Sequence, residues 1–469
     1  MRRLRDFWFG EADVAPVALF RILFGLLLFN WFWQLFPNLT AFFTDAGILP
    51  RSDLASSYPD RLSLLSLSGE WWVVAAIWAV SCVVALSLTA GWHTRLASLL
   101  SFVLVSSFSW RDPLILDGSD FVFRVVPLWL AFTPAGDRWS LDARRRATAS
   151  PRRAWAFPIR ILELQIAWIY LATGLEKLGG TDWIAGTAAY YALQLEHTFA
   201  RPWAHTIAID PTLSHLISWY TLAIELSFLP LAMLPFSLTR AVAAAGAAAM
   251  QVGILALMNV GNFPLIMLAA CVLFVPPGLI DRLVPGGGTV TPAGSGVVVV
   301  GGAARTRAAG ALLALAAAVS FVTAVPSYLE PLRPSGDVAS ALRALSLDQR
   351  WDMFSPNAAR SDGWLLAPAA LADGGRLDLL SWGPDDRSER YSDPLYSRCT
   401  KVQERIASAF YAGYRSSYAR YLCRTPSDHL GPGYSPLLRF DLIYVERTIQ
   451  PPEKGPPLIS STTLWSQQC

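Results

Sequence analysis

A lysine at the end of an apolar helix is where this chain first offers chemistry. The segment RILELQIAWIYLATGLEKLGGTDWIAG (Arg160–Gly186) reads as a membrane-spanning helix that carries Glu163 and Gln165 and closes on Glu176–Lys177. A charge in hydrocarbon costs from roughly 2.5 kcal/mol upward, so an acid or amine there marks a candidate site. A lysine stripped of water can give up its proton and serve as a base near neutral pH. Lys177 therefore has two readings. It is a base at the mouth of an apolar pocket, or an anchor whose stem lies in the bilayer while its ammonium reaches the interface. Glu225 and Gln251 lie inside later apolar segments. Each is either a hydrogen-bond partner between helices or a wall residue of a polar cavity shared with Lys177.

Other chemistries find little support. His197 and His205 are eight apart with Pro202 between them, and no third ligand accompanies them, so no metal site is assigned. No G-x-S-x-G elbow points to a serine hydrolase. The glycines of Gly286–Gly302 lack the lysine of a phosphate-binding loop and read as a flexible linker. Arginines are not interleaved with stacking aromatics on a polar domain, which argues against nucleic acid. Asp120 and Arg124 stand at i,i+4 with the acid first, the spacing of an intrahelical ion pair.

The elements that must position Lys177 follow from composition. Hydrophobic residues make up 53% of the chain and charged ones 16%, with repeated apolar runs near bilayer length, so the chain reads as a polytopic membrane protein. The predicted segments lie near Val14–Phe36, Trp71–Ala90, Leu96–Trp110, Phe121–Thr133, Pro158–Leu175, Leu213–Phe236, Leu238–Met258, Phe263–Leu279 and Ala308–Val325. The fourth is short and holds Arg124 and Pro127, so about eight or nine helices are expected. Arginine clusters at Arg2–Arg5, Arg138–Arg160 and Arg282–Arg307 alternate with arginine-poor loops, placing the N-terminus in the cytoplasm. Lys177 then lies at the outer face. The N-terminal apolar run is long enough to span and reads as an uncleaved helix.

The expected organisation is a transmembrane domain over residues 1–282, a glycine-rich cytoplasmic linker over 283–307, a last transmembrane helix over 308–326, and an extracytoplasmic α+β domain over 327–469. In that last domain, Gly363–Ala370 and Arg376–Leu380 flank a hairpin turn at Ala372–Gly375. Thr400–Leu422 has helical periodicity, and Leu438–Ile449 and Leu458–Trp465 read as strands. The run DQRWDMFSP (Asp348–Pro356) either seats the domain on the bundle or forms ordinary core. Cys399, Cys423 and Cys469 share the oxidising side. A straight helix over Thr400–Leu422 would hold Cys399 and Cys423 about 33 Å apart, beyond the ~7 Å a disulfide tolerates. One bridge using Cys469 is expected; a break at Gly413 would reopen the Cys399–Cys423 pairing.

The segments also carry a likeness. FRILFGLLLF around Arg21, LAFTPAGDRWSLDA (Leu130–Ala143), IYLATGLEKLGGTDWIAGTA (Ile169–Ala188), IELSF (Ile224–Phe228) and VGNFPLIML (Val260–Leu268) occur in the order and spacing of the HTTM family. That family's membrane domain is shared with vitamin K-dependent γ-glutamyl carboxylase, and the likeness covers roughly the first 280 residues. The resemblance implies that Lys177, within a G-x-x-K-L then D-W pattern, acts as base toward a reduced quinone of vitamin K or menaquinone type. It implies Glu225, Gln251, Asp182 and Trp183 as supporting residues, no metal, and a protein or peptide substrate presented from outside. A bacterial plasma membrane is the expected location.

Two positions depart from the carboxylase pattern. Gly118–Ser119 replaces an asparagine–histidine pair, and Gln251 replaces a histidine. Neither serine nor glutamine can exchange protons near neutral pH as histidine does, so glutamate carboxylation itself is not expected. Two functions remain: a membrane enzyme using a reduced quinone or another lipophilic substrate, and a non-catalytic membrane protein that binds a lipid or protein partner. An apolar cavity at Lys177 favours the first. A buried Lys177–Glu225 contact with no cavity favours the second.

Overall fold

Runs of about twenty apolar residues can satisfy their backbone groups in hydrocarbon only by coiling into helices or closing into barrels, and here they coil. The computed structural model describes residues 2–57, 60–146, 152–284, 303–380, 398–424 and 435–469. The principal helices are α1 (Arg2–Phe9), α2 (Ala15–Leu35), α3 (Trp71–Ala90), α4 (Thr94–Arg111), α5 (Gly118–Leu130), α6 (Ala156–Leu178), α7 (Pro211–Ala232), α8 (Ser237–Leu257), α9 (Phe263–Ala270), α10 (Pro277–Leu283) and α11 (Ala303–Thr323). Shorter helical turns join them. An antiparallel ribbon of β1 (Glu11–Asp13) and β2 (Arg153–Trp155) ties the starts of α2 and α6.

Among the described residues, five stretches are long and apolar enough to cross a membrane: Ala15–Phe43, Trp71–Ala90, Ala156–Leu178, Pro211–Ala232 and Ser237–Leu257. Phe263–Phe274 and Pro277–Leu283, bent by 113°, make a sixth if they count as one broken span. Among the described residues, five or six of the eight or nine expected spans thus meet the length and composition of a membrane crossing. In α4, Ser98, Ser101, Ser106, Ser107 and Ser109 dilute the apolar run. Helix α5 has 13 residues, about 20 Å of helix against a hydrocarbon core of about 30 Å. Helix α11 starts at Ala303, inside the predicted linker, and packs on α6. The linker segment Gly286–Gly302 lies outside the described residues.

Helix α6 is central and mostly buried, whereas α7 and α8 form an outer wall. Close packing of α7 on α6 depends on Gly174. A Cβ there would lie 3.0 Å from the Glu225 Cβ and 3.1 Å from a Leu226 methyl. The missing side chain lets Glu225 approach the lysine one turn further on.

The C-terminal region holds an antiparallel sheet of β3 (Ser361–Leu366), β4 (Pro368–Leu371), β5 (Arg376–Asp378), β6 (Leu437–Thr448) and β7 (Leu458–Gln468). Strands β3 and β4 follow each other along one edge of β6, β7 takes the other edge, and β5 pairs with β4. The hairpin forms at Ala372–Gly375, but the single strand predicted over Gly363–Ala370 is split in two at Ala367. The predicted long helix is also broken, into α12 (Arg398–Ala407), a 3-10 turn at Ala409–Tyr414 and α13 (Arg415–Arg424). Ser408 turns extended there, and its Oγ accepts the Phe410 N–H. The disulfide joins Cys423 to Cys469.

This region is clasped to the bundle by ions. The Asp120–Arg124 pair expected within α5 is not what forms. Asp120 binds Arg398 of α12 at 2.8 Å and accepts from the Trp31 indole at 2.6 Å. Arg124 instead takes Asp348, carboxylate at 3.3 Å, and stacks over Trp110. Intrahelical spacing permits a pair, but here the helix faces two different partners. Trp351, 2% exposed, meets Phe121 edge-on, so the Asp348–Pro356 run does seat the region on the bundle.

Candidate functional site

Tyr170, Thr173 and Lys177 recur at helical spacing and so share one face of α6. That face looks into a cavity of about 620 Å³, within the range of small-molecule pockets. Its walls are mostly apolar: Ile169 from α6, Ile217 and Thr221 from α7, Met250 and Ile254 from α8, Phe263 and Met267 from α9. Tyr220 and Ala249 line it while remaining exposed on α7 and α8, so that wall faces the outside of the bundle. Arg350, Asp352, Met353 and Phe354 roof it, and Lys401 and Glu404 of α12 stand at the same end.

Within the wall, Lys177 Nζ lies 2.8 Å from Glu225 Oε1, with both residues almost wholly buried. The ammonium position is also 4.7 Å from the Trp183 ring centroid, a cation–π contact strengthened by dehydration. Gln251 donates from Nε2 to the Tyr170 hydroxyl at 3.1 Å, and Tyr170 packs on Phe228. The other carboxylate oxygen of Glu225 and the carbonyl oxygen of Gln251 are buried with no hydrogen-bond partner. The pair as a whole is neutral, so it can pass one proton between amine and carboxylate without placing net charge in the apolar site.

Of the residues singled out from sequence, Lys177, Glu225, Gln251 and Trp183 all line the cavity. Asp182 does not: its carboxylate binds Arg360 at 2.8 Å, and its N–H and that of Thr181 donate to the Asn357 side chain. It fastens the roof. Gly180 belongs to the same seam, since a Cβ there would fall 2.2 Å from the Pro356 carbonyl oxygen. Trp183 donates to the Phe354 carbonyl at 2.9 Å, linking wall and roof. Gly118 borders the cavity, while the Ser119 hydroxyl is spent on Asp117.

Glu163 and Gln165, on the same helix, face elsewhere. Glu163 lies between Arg160 and Arg240, and Gln165 joins Trp129 and Gln349. Glu176 accepts from the Ser327 N–H and hydroxyl. His197 meets the Trp364 ring at a tilt and His205 Nδ1 contacts the Pro202 carbonyl. Among the described residues, no three His, Cys, Asp or Glu side chains converge on a metal position. Sequence reasoning passed over Tyr170, whose spacing of seven residues before Lys177 was the available signal, and over Lys401 and Glu404, which carried none.

The family model of the HTTM domain matches residues 9–278. Sporulation-delaying protein SdpB of Bacillus subtilis (strain 168) is 23% identical over 196 residues, covering 40% of this chain and 59% of that protein. The match thus spans less than two thirds of the relative. No solved structure matches. The matched span contains every helix of the bundle from α2 to α9, with Lys177 and Glu225 inside it, and on that ground the chain belongs to the HTTM-domain family.

Proposed function

We propose that the chain is a quinone-linked membrane enzyme in which Lys177 serves as the base. The observation that carries this reading is an amine–carboxylate pair set in the wall of a 620 Å³, mostly apolar cavity. A buried ion pair is a weak source of stability, and well-packed apolar residues commonly replace one at no loss, so a pair kept beside open space reads as functional. A reduced quinone gives two electrons and its two hydroxyl protons to dioxygen, leaving the quinone and hydrogen peroxide. With the pair's shared proton resting on Glu225, the Lys177 amine takes a hydroxyl proton from the quinol and passes it on to the reduced oxygen, while the apolar walls exclude water.

In this reading the chain is a multi-pass protein of a bacterial plasma membrane with its N-terminus in the cytoplasm, and α4, α5 and α11 complete the membrane-embedded bundle. The Cys423–Cys469 disulfide supports an oxidising side for the C-terminal region. That region would present a protein or peptide substrate at the roof, where Lys401, Glu404, Arg350 and Asp352 supply charge. A second reading, non-catalytic lipid or partner binding, is favoured by the closed 2.8 Å contact itself. Oxygen consumption with reduced menaquinone, by the purified protein in lipid, separates the two. Wild type is expected to turn over and Lys177→Arg, which keeps a cation that cannot shed its proton, is expected not to. Absence of turnover in both would leave the binding reading.

A further inference from the structure

Strand β7 is an uncharged sheet edge held in fixed register. It pairs with β6 along its whole length, and among the described residues no strand takes up its other edge. Cys469, joined to Cys423 and donating its N–H to the Leu438 carbonyl, fixes one end. From Leu458 to Thr463 every residue is exposed, so this part of the strand is covered on neither face. Such an edge offers a row of open N–H and C=O groups, and natural edges are blunted by charge, proline or a bulge. Leu458–Gln468 contains no charged residue, proline or glycine. Its register shift, at Leu464, lies beyond the regular run that pairs Leu458–Thr463 with Ile443–Thr448.

The order of side chains says which strand this edge fits. Ser460–Thr463 are all hydroxyl residues, flanked by Leu458 and Ile459 before and by Leu464 and Trp465 after. The edge therefore presents the same chemistry read from either end. We propose that β7 pairs antiparallel with β7 of a second copy of this chain, about a two-fold axis at Ser461, joining the two sheets into one. In that register Ser460 lies opposite the partner's Thr462 and Ile459 opposite the partner's Thr463. Hydroxyl and β-branched residues pair well across strands, and no like charges meet. The axis of such a pairing is normal to the sheet, and two copies in one bilayer need it along the membrane normal. The layering meets that requirement. Helix α12 packs on β3 and α13 on β7, while Arg405 of α12 and Arg424 of α13 donate to the Pro113 and Gly47 carbonyls of the bundle's loops. The sheet thus turns its broad face toward the bundle, across the two helices. This pairing does not depend on what the cavity holds.

The test is disulfide crosslinking of the full chain in its membrane, with Cys399→Ser removing the exposed free thiol. Residues facing each other on antiparallel strands have Cα atoms about 4.5–5.5 Å apart, within reach of a disulfide. Ser461→Cys is therefore expected to give a covalent dimer on oxidation. Two copies of Leu458→Cys would lie about 20 Å apart in this register and should give less than a tenth as much. Adding Thr462→Lys, which sets two ammonium groups beside the axis, should cut the Ser461→Cys dimer at least tenfold. Equal dimer from both cysteine positions, none from Ser461→Cys, or dimer undiminished by the lysine overturns the proposal. So does a crosslink from Ser461→Cys to a different protein. Should the variants fail to fold, native mass spectrometry of the wild-type chain from lipid nanodiscs decides: two copies are expected, and one copy overturns the pairing.

Discussion

The buried clusters around Glu163 and Lys177 on helix α6 are built on opposite plans. At one, Glu163 is clamped between Arg160 and Arg240, with Arg240 also bonded to the Leu273 carbonyl and both guanidiniums set over Phe7. Arg160, Glu163 and Arg240 do not line the cavity, and neither Glu163 oxygen is left unpaired. At the other, Lys177 and Glu225 share one contact, one carboxylate oxygen is unbonded, and a 620 Å³ cavity adjoins. A charge with all its partners in place fixes helices to each other. A charge with a vacant bonding position beside open volume is available to a ligand.

The comparison breaks if the two clusters respond alike to substitution. Glu163→Leu should have the largest effect, since it leaves two guanidiniums facing each other in a buried site; a loss of about 3–5 kcal/mol is expected in chemical unfolding. Next, Lys177→Met should cost about 3 kcal/mol by stranding Glu225, and adding Glu225→Leu should recover most of it, because an apolar pair replaces an ionic one. Ligand binding should be lost in the double variant although stability returns. A double variant as unstable as the single would show that the pair is structural.

Another buried carboxylate, at the end of α4, sharpens the contrast through pH. Burial raises the Asp112 carboxyl from 3.8 to about 7, and its arginine neighbours Arg111, Arg405 and Arg398 only partly offset this. The folded state binds the proton more tightly, so the stabilisation is complete below about pH 4 and lost as pH rises toward 7. The slope is at most about 1.4 kcal/mol per pH unit. Asp112→Asn keeps the acceptor that caps the Leu114 N–H and should abolish that slope in melting curves across this range. The smallest effect is expected at the roof. Arg360→Ala removes a partner of Asp182 that is 49% exposed, costing below about 1 kcal/mol with turnover changed less than twofold.

Sequence made the wall residues legible where one rare feature sufficed. Lys177, Glu225 and Gln251 stood out because ionisable and amide groups in apolar segments are costly, and Gly174, three residues before the lysine, sits in the pattern that lets the helices close. What stayed hidden depended on partners distant in sequence. The i,i+4 rule could pair Asp120 with Arg124, but nothing local announces Arg398, which lies 278 residues further on. Tyr170 was passed over, because its partner Gln251 is 81 residues away in sequence. The helix over Thr400–Leu422 read as continuous because its apolar spacing survives the break at Ser408. Asp182 and Trp183 are adjacent in one motif, yet one secures the roof and the other lines the cavity.

The account stands on the cavity beside Lys177 being the place where a lipophile binds. Photo-crosslinking with an alkyl-chain naphthohydroquinone carrying a diazirine, in lipid nanodiscs and mapped by peptide mass spectrometry, tests that directly. The account predicts labels on Thr173, Met250, Ile254 and Phe263 that an excess of unlabelled compound removes. Labels spread over the lipid-facing sides of α3, α7 and α8, unaffected by competitor, would contradict it.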